Sequence, residues 1–218
     1  MNISNDQSLL SGLPTRFPVF PLTGAILLPS GNLPLNIFEP RYLQMIKDAM
    51  RADKTLGMIQ PSGLISDDQP ELYPVGCAGR ISSFETTDDG RYLITLTGLC
   101  RFEVVEELTV ATPYRQVVAS FERWQEDLAP TTPKDNLRPS LTDALRRYFA
   151  VHDISVDWDQ IELAPLGGLL TSLAMICPFE PSEKQALLES PDPDQLGETL
   201  VSLLQMGALT SDEVNVHH

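Results

Sequence analysis

The sequence predicts an α+β protein whose first part is rich in strands and whose second part is helical. Up to Trp124, short apolar runs end at Pro, Gly or Asp, which is typical of strands. From Ser140 onward, apolar residues recur at helical spacing instead. A single early helix, over residues 40–50, interrupts the strand-rich part.

Composition along the chain sets the predicted domain boundaries. Residues 125–138 hold two prolines and many polar groups, which indicates a linker. We therefore expect a strand-rich domain over 15–124 and a helical domain over 139–209. Residues 1–14 are expected to form a flexible leader and residues 210–218 a disordered tail, in which His217 and His218 resemble the remnant of a tag.

The first elements lie between residues 17 and 50. Prolines stand beside short apolar runs at positions 18, 21, 29 and 34. Because proline has no N–H, these positions indicate strand ends, edges or kinks. Pro40 suits the first turn of a helix, and the residues after it form one apolar stripe. This pattern predicts strand, loop, strand, and then a helix that lies on the sheet.

Further strands follow the early helix. A strand is predicted over 55–60, an exposed loop over 61–70 and a long strand over 75–86. The run Thr87-Asp88-Asp89-Gly90 predicts a hairpin turn, because Gly accepts a positive φ. The chain then returns as a strand from Arg91, and strand character continues to Val105. After a break at 106–109, the last strand is predicted over 114–121.

The second part predicts at least four helices. The first starts near Ser140 and has one apolar face. Residues 166–176 are apolar on nearly all sides and carry no charge, as expected of a buried central helix. Another helix begins at Pro181. The last opens at Asp192, which suits an N-cap, followed by Pro193 in the first turn.

Charge and hydropathy exclude several classes of protein. The 218 residues carry a net charge of −15, and residues 121–218 hold 17 of the 30 acidic residues but 6 of the 15 basic ones. Such an acidic field opposes binding to nucleic acid. Apolar runs are too short to span a membrane, and the N-terminus lacks the pattern of a secretory signal. We therefore expect a cytoplasmic protein with no nucleic-acid or membrane partner.

Reactive motifs are missing from the sequence. Cys77, Cys100 and Cys177 are far apart and form no CxxC pair, so we interpret them as buried, inert thiols. No HExxH occurs, and a lone His152 beside an Asp is not typical of a metal site. No lysine follows a glycine as a phosphate-binding loop requires. We predict no catalytic residues, no metal and no cofactor.

Eight short segments, taken in order, resemble the N-terminal domain family of Lon proteases. They are PVFPL at 18–22, LLP at 27–29, LPL at 33–35, IFEPRY at 37–42, GMI at 57–59, YPVGCAGRI at 73–81, YLITLTGLCRF at 92–102 and EKQALLE at 183–189. The resemblance covers roughly residues 15–207. It implies a PUA-like, mostly antiparallel β-barrel followed by a helical bundle, as in bacterial proteins that consist of this domain alone. The ATPase and Ser-Lys protease modules of Lon enzymes are not visible here.

Glu39, Arg41 and Tyr42, around the start of the early helix, are the candidate peptide-binding residues. The alternative is structural: Glu39 would favour the positive end of the helix, and Arg41 would pair with a carboxylate of the barrel.

The resemblance implies a non-catalytic module that binds unfolded or partly folded polypeptide through an apolar groove. We expect that groove at the junction of the two domains, where pockets are favoured. Two alternatives stay open: an adaptor that docks on a protease or another complex in trans, and a peptidase with an unrecognised site.

Overall fold

The computed structural model describes residues 12–63, 70–129 and 132–215. These fall into two compact units that divide between residues 130 and 131. In its described residues, the first unit contains six strands and one α-helix. They are β1 (Arg16–Pro21), β2 (Asn32–Ile37), α1 (Pro40–Arg51), β3 (Thr55–Ile59), β4 (Val75–Thr86), β5 (Tyr92–Glu107) and β6 (Gln116–Ser120).

The six strands form one sheet in the order β2-β5-β4-β3-β1-β6, and β6 also pairs with β5. The pairings β5–β4–β3–β1–β6–β5 therefore make a closed circuit. Strand β2 pairs with β5 and is not part of this circuit. Every pair is antiparallel except β1–β3. That parallel pair requires a crossover connection, which contains β2 and α1.

Glycines allow the sheet to close around its core. A Cβ at Gly98 would overlap the Leu28 carbonyl oxygen, and one at Gly76 would lie 2.6 Å from the Met58 carbonyl oxygen. Register shifts in the β4–β5 and β5–β6 pairs bend the long strand β5 further.

The interior of the first unit holds an aromatic cluster. Phe17 and Phe102 meet edge to face at 5.1 Å, and Phe121 lies 6.2 Å from Phe17. Helix α1 buries the apolar stripe that the sequence predicted, at Tyr42, Met45, Ile46 and Ala49. The predictions of this helix, of a strand over 75–86 and of the hairpin turn after it are confirmed.

A 3-10 helix over Glu122–Leu128 occupies the start of the predicted linker. Asp127 forms a buried ion pair with Arg101 of β5, with Nη2 and Oδ1 2.6 Å apart, and also accepts the Arg101 amide at 2.9 Å. The Arg101 guanidinium lies 3.8 Å above the ring of Trp124. Residues 125–128 of the predicted linker therefore belong to this helix, and Asp127 among them contacts the sheet.

The second unit contains five helices in its described residues. They are α2 (Leu137–Val151), α3 (Trp158–Leu163), α4 (Leu166–Ile176), α5 (Pro181–Leu188) and α6 (Pro193–Asn215). Gly197 and Gly207 of α6 lie against Leu137 and Tyr148 of α2, where a Cβ would come within 2.9 Å of either side chain. Small residues thus bring the two longest helices close together.

Two polar arrangements, one buried and one exposed, fix helix ends in the second unit. Lys184 is 2% exposed, and its Nζ donates to the carbonyl oxygens of Ala174 and Met175 at 3.0 and 2.6 Å. Burial lowers the pKa of Lys184. Asp192 accepts the Gln195 amide at 2.8 Å, which confirms the predicted N-cap of the last helix.

Other details of the second unit differ from the sequence predictions. The first helix begins at Leu137, inside the predicted linker. Helix α4 is not buried all round, because it buries Leu166, Leu170 and Ala174 while Ile176 is 79% exposed. Helix α6 continues through Asn215, because the expected tail has no Pro or Gly to end it. Residues 216–218, like most of the predicted leader and the middle of the 61–70 loop, lie outside the described residues.

Gly98→Ala is expected to destabilise the first unit by about 2–3 kcal/mol, because the new methyl group collides with backbone. Gly168→Ala serves as the matched control, since nothing lies within 4 Å of a Cβ there. Because Gly168 lies in α4, its replacement by Ala should stabilise the second unit by about 0.5–1 kcal/mol. Trp124 lies in the first unit and Trp158 in the second. Urea unfolding of Gly98→Ala is therefore followed by Trp124 fluorescence in a Trp158→Phe background. Unfolding of Gly168→Ala is followed by Trp158 fluorescence in a Trp124→Phe background. A Gly98→Ala protein with unchanged stability would contradict the packing argument.

Asp127→Ala is expected to cost about 3–5 kcal/mol, because it leaves the Arg101 guanidinium buried without its carboxylate. The comparison variant is Glu103→Ala, which removes the exposed Glu103–Arg123 pair and should cost less than about 1 kcal/mol. Urea unfolding monitored by Trp124 fluorescence measures both. Equal costs for the two variants would show that the buried pair is not a major constraint.

Candidate functional site

A groove of about 960 Å³ opens on the surface of the first unit. Its walls combine prolines, two tyrosines, aliphatic side chains, threonines, two arginines and one glutamate. The lining residues are Pro21, Thr23, Arg41, Tyr42, Pro61, Pro70, Glu107, Leu108, Thr109, Val110, Thr112, Pro113, Tyr114 and Arg115.

The groove forms where the parallel strands β1 and β3 end at the same edge of the sheet. Pro21 is the last residue of β1, and Pro61 comes shortly after β3. The start of α1 supplies one wall, and the β5–β6 connection, residues 108–115, supplies another. Proline has no N–H, so the strand ends present few unpaired backbone donors to the groove.

Arg41 and Tyr42, two of the predicted site residues, line this groove, whereas Glu39 does not. Glu39 is the N-cap residue of α1, without a side-chain cap bond, and its carboxylate accepts Arg41 Nε at 2.9 Å. Arg41 therefore pairs with Glu39 and not with a carboxylate of the strands, which corrects the structural alternative raised from the sequence.

Tyr42 is held in place from both sides. Its ring packs edge to face on Phe20, with the ring centroids 4.4 Å apart. The Arg41 guanidinium lies over the Tyr42 ring, 4.5 Å from its centroid, in a cation–π contact. Burial raises the pKa of the Tyr42 hydroxyl, an effect that the positive charge of Arg41 opposes. The tyrosine thus presents a fixed, neutral aromatic edge to the groove.

Arg115 fixes the opposite wall. Its guanidinium binds both carboxylate oxygens of Glu107, at 2.6 and 2.5 Å, and its Nη1 donates to the Pro70 carbonyl at 2.7 Å. This bidentate pair ties the β5–β6 connection to the chain just before β4. The charges of Arg41 and Arg115 in the groove are therefore matched by Glu39 and Glu107, and the groove presents polar and apolar surface together.

Tyr114 joins the same wall to α1. Its hydroxyl donates to Asp48 Oδ2 at 2.9 Å, and Gln44 donates to both oxygens of that carboxylate. Burial, reinforced by the Asp48 carboxylate, raises the pKa of Tyr114 to about 12. Hydrogen bonds from Gln44 and Tyr114 lower the pKa of Asp48.

The cysteines, Ser30 and His152 each lie in structural surroundings. The three cysteines are buried, as predicted, and burial raises the pKa of Cys77, Cys177 and Cys100, the last to about 12. Ser30 lies in a turn, where its amide donates to the Gly98 carbonyl at 2.9 Å. His152 packs on Tyr148, with their ring centroids 4.2 Å apart.

Within residues 12–63, 70–129 and 132–215, no cluster of three or more His, Cys, Asp or Glu side chains could hold a metal ion. None of the helices in those same ranges has the length and apolar character that a bilayer span requires.

Sequence reasoning missed the wall formed by residues 108–115. The sequence predicts only a break and the start of a strand there, since the segment alternates small polar and apolar residues without a distinct motif. The signal that could have found the groove was the set of prolines at strand ends, because Pro21, Pro61, Pro70 and Pro113 all line it.

Comparison with known proteins places this fold among Lon proteins. The family described as the ATP-dependent protease La (LON) substrate-binding domain matches residues 16–206. Lon protease 2 of Myxococcus xanthus is 32% identical over 104 residues, 47% of this chain and 12% of that protein. Lon protease of Syntrophus aciditrophicus is 23% identical over 92% of this chain and 23% of its own length. The chain thus spans a small part of these relatives.

Solved structures show the same fold. The crystal structure of a Lon N-terminal domain protein from Xanthomonas campestris has a TM-score of 0.63 at 24% identity, covering 87% of this chain and 98% of that one. The N-terminal domain of Mycobacterium avium complex Lon protease has a TM-score of 0.59 at 15% identity, covering 87% and 97%.

Tyr114→Phe is expected to flatten the alkaline part of the stability profile. Because the folded-state pKa of Tyr114 is raised to about 12, the folded state keeps a proton that the unfolded state loses above about pH 10. The stabilisation from this group is full below pH 10 and is lost as the pH rises towards 12. Urea unfolding at several pH values measures the slope. An identical slope in wild type and Tyr114→Phe would contradict the assignment.

Proposed function

Because the chain belongs to the family of Lon substrate-binding domains, we propose that it is a non-catalytic module that binds unfolded or partly folded polypeptide. The proposed site is the groove between the start of α1 and residues 108–115. The observation that supports it is the chemistry of the walls, which are rich in Pro, Tyr and aliphatic side chains while their ionic groups pair with each other.

A polypeptide fits such a groove better than a small polar metabolite does. The tyrosines, prolines and aliphatic side chains of the walls favour burial of apolar side chains, which unfolded chains expose and folded proteins largely hide. Thr23 and Thr109 supply hydroxyls that can bond to a peptide backbone, whereas the Thr112 hydroxyl already bonds to Tyr114 and Gln116. Arg115 is not free to bind a ligand, because Glu107 and Pro70 already occupy its guanidinium.

The closed strand circuit also supports the PUA-like barrel that the resemblance implied. On such a framework, the groove is built on strand ends and on a connection fixed by an ion pair. A site that is formed before the ligand arrives loses less conformational entropy on binding.

Val110→Asp is expected to weaken polypeptide binding at least about tenfold, because it replaces an aliphatic side chain of the groove by a charge that a bound apolar side chain would have to bury. Val105→Asp is the matched control: Val105 is 65% exposed on the same unit and does not line the groove. The ligand is reduced, carboxamidomethylated α-lactalbumin carrying a fluorescein label, and anisotropy measures binding. This ligand is acidic, so attraction to the acidic chain cannot produce the signal.

No binding by the wild type at tens of micromolar, or equal weakening by both variants, would overturn the proposal. Two further assays address the alternatives. Capture of a single defined complex from lysate, with no affinity for the unfolded ligand, would indicate an adaptor. Sustained cleavage of casein by the purified protein, with or without ATP, would indicate a peptidase.

A further inference from the structure

Strand β5 has an open edge near its end. Its pairing with β4 ends at Glu103, and the Val104 amide makes the last backbone bond on that side, to the Pro74 carbonyl. Its pairing with β6 continues to Glu107. Among the described residues, 105–107 therefore have a strand neighbour on one side only, and all three are exposed.

The register beyond the β5–β6 shift shows which backbone groups face that edge. From Glu106 onward the pairing with β6 is regular, and the Leu108 amide donates to the Gln116 carbonyl at 2.9 Å. Leu108 therefore points to β6. Hydrogen-bonded and non-hydrogen-bonded pairs alternate along antiparallel strands. The N–H and C=O groups of Glu107 consequently point to the open side.

Thr109 continues this edge one step past the strand. Arg115, which the same register sets opposite Thr109, gives its carbonyl to the Val19 amide of β1 at 3.0 Å. No backbone hydrogen bond within the described residues involves Thr109, and the residue is exposed. Along the open edge, the N–H and C=O groups of Glu107 and of Thr109 thus have no backbone partner in the described part of the chain.

The open edge lies in the groove. Residues 107–110 all line it, together with Pro21 at the end of β1 and Pro61 and Pro70 beyond β3. These prolines have no N–H to offer a ligand. The groove therefore combines backbone donors and acceptors on the β5 edge with proline rings on the facing elements of the sheet.

The segment that carries the edge is held in place by its side chains. The Arg115 guanidinium binds both carboxylate oxygens of Glu107, and the Thr112 hydroxyl bonds to the Tyr114 carbonyl oxygen at 3.0 Å. Backbone polar groups require hydrogen-bond partners, and here they are positioned before a ligand arrives. A strand that bonds to them causes little further loss of conformational entropy in the protein.

An extended polypeptide is the ligand that complements these groups. N–H and C=O groups that repeat at every second residue match the backbone of another strand, whatever its side chains. A second copy of the same edge is disfavoured, because Glu106 and Glu107 would bring like charges together between chains of net charge −15. An unfolded chain can supply a single strand without the rest of a folded sheet.

From these observations we propose that the groove binds polypeptide as an added strand on the β5 edge, through backbone hydrogen bonds to Glu107 and Thr109. This inference rests on the proposed function and specifies the class of segment that the groove takes. Because the bonds involve the backbone of the ligand, the site accepts many sequences and rejects segments whose N–H groups are blocked, such as those rich in proline.

Three synthetic hexapeptides of alternating valine and threonine, each labelled with fluorescein, test this mode by anisotropy. One is unmodified, one is N-methylated at its second, fourth and sixth residues, and one at its third, fourth and fifth. Alternate methylation leaves one edge of the peptide free, whereas the same number of consecutive methyl groups blocks both edges. The alternate peptide should bind within about threefold of the unmodified one, and the consecutive peptide at least about tenfold more weakly.

Thr109→Pro removes one donor of the edge and should weaken binding of both the unmodified peptide and unfolded α-lactalbumin about tenfold or more. Thr109→Val is the matched control, because it removes the hydroxyl but keeps the N–H, and should change binding less than about threefold. Circular dichroism checks folding, and the methylated peptides provide the test if Thr109→Pro does not fold. Amide exchange at Glu107 and Thr109 should slow when ligand binds, while Glu106 and Leu108, which face β6, change little.

Equal binding of the two methylated peptides would overturn the added strand and leave the proposed function in place. So would α-lactalbumin binding that slows neither the Glu107 nor the Thr109 amide, or that is the same in Thr109→Pro and Thr109→Val. Failure of the wild type to bind both α-lactalbumin and the unmodified peptide would overturn the inference together with the proposed function.

Discussion

The structure of the first unit depends on one constraint, the ability of β5 to pair with three other strands. Its 16 residues bond to β2 and β4 in the first part and to β4 and β6 in the second. This is possible because the strand bends at its register shifts and because Gly98 admits the Leu28 backbone at close range. Closure in turn brings the ends of β1 and β3 together with residues 108–115, and so creates the groove.

Local chemistry determined how much of the fold the sequence could predict. The early helix and the hairpin at 87–90 follow from proline, glycine and apolar spacing, which act within a few residues. The 3-10 helix over Glu122–Leu128 could not be predicted from such local signals, because its Asp127 is fixed by Arg101, which is distant in sequence. A charged residue in a polar, proline-containing stretch gives no sign that its partner is a buried guanidinium. The one-sided burial of α4 was missed for a similar reason, since its uncharged sequence does not tell which face packs.

The candidate site shows the same division. Arg41 and Tyr42 could be singled out because they stand at a helix start, and the structure places both in the groove. Arg115 and Tyr114 could not be singled out, because their partners come together only in the folded chain. Arg115 bonds to Glu107 and Pro70, and Tyr114 bonds to Asp48. The family resemblance supplied the fold, whereas the position of a binding surface within it required the pairing of strands that are far apart in sequence.

The pairing of β1 also affects how the protein is made. Arg16 of β1 pairs with Val118 of β6, so β1 leaves the ribosome long before the strand that completes its pairing. At synthesis rates of about 5–20 residues per second, β1 waits roughly 5–20 s for that partner. During this interval the apolar Phe17 and Val19 have no finished core to enter. While it is being translated, this chain is therefore one that chaperones are suited to hold.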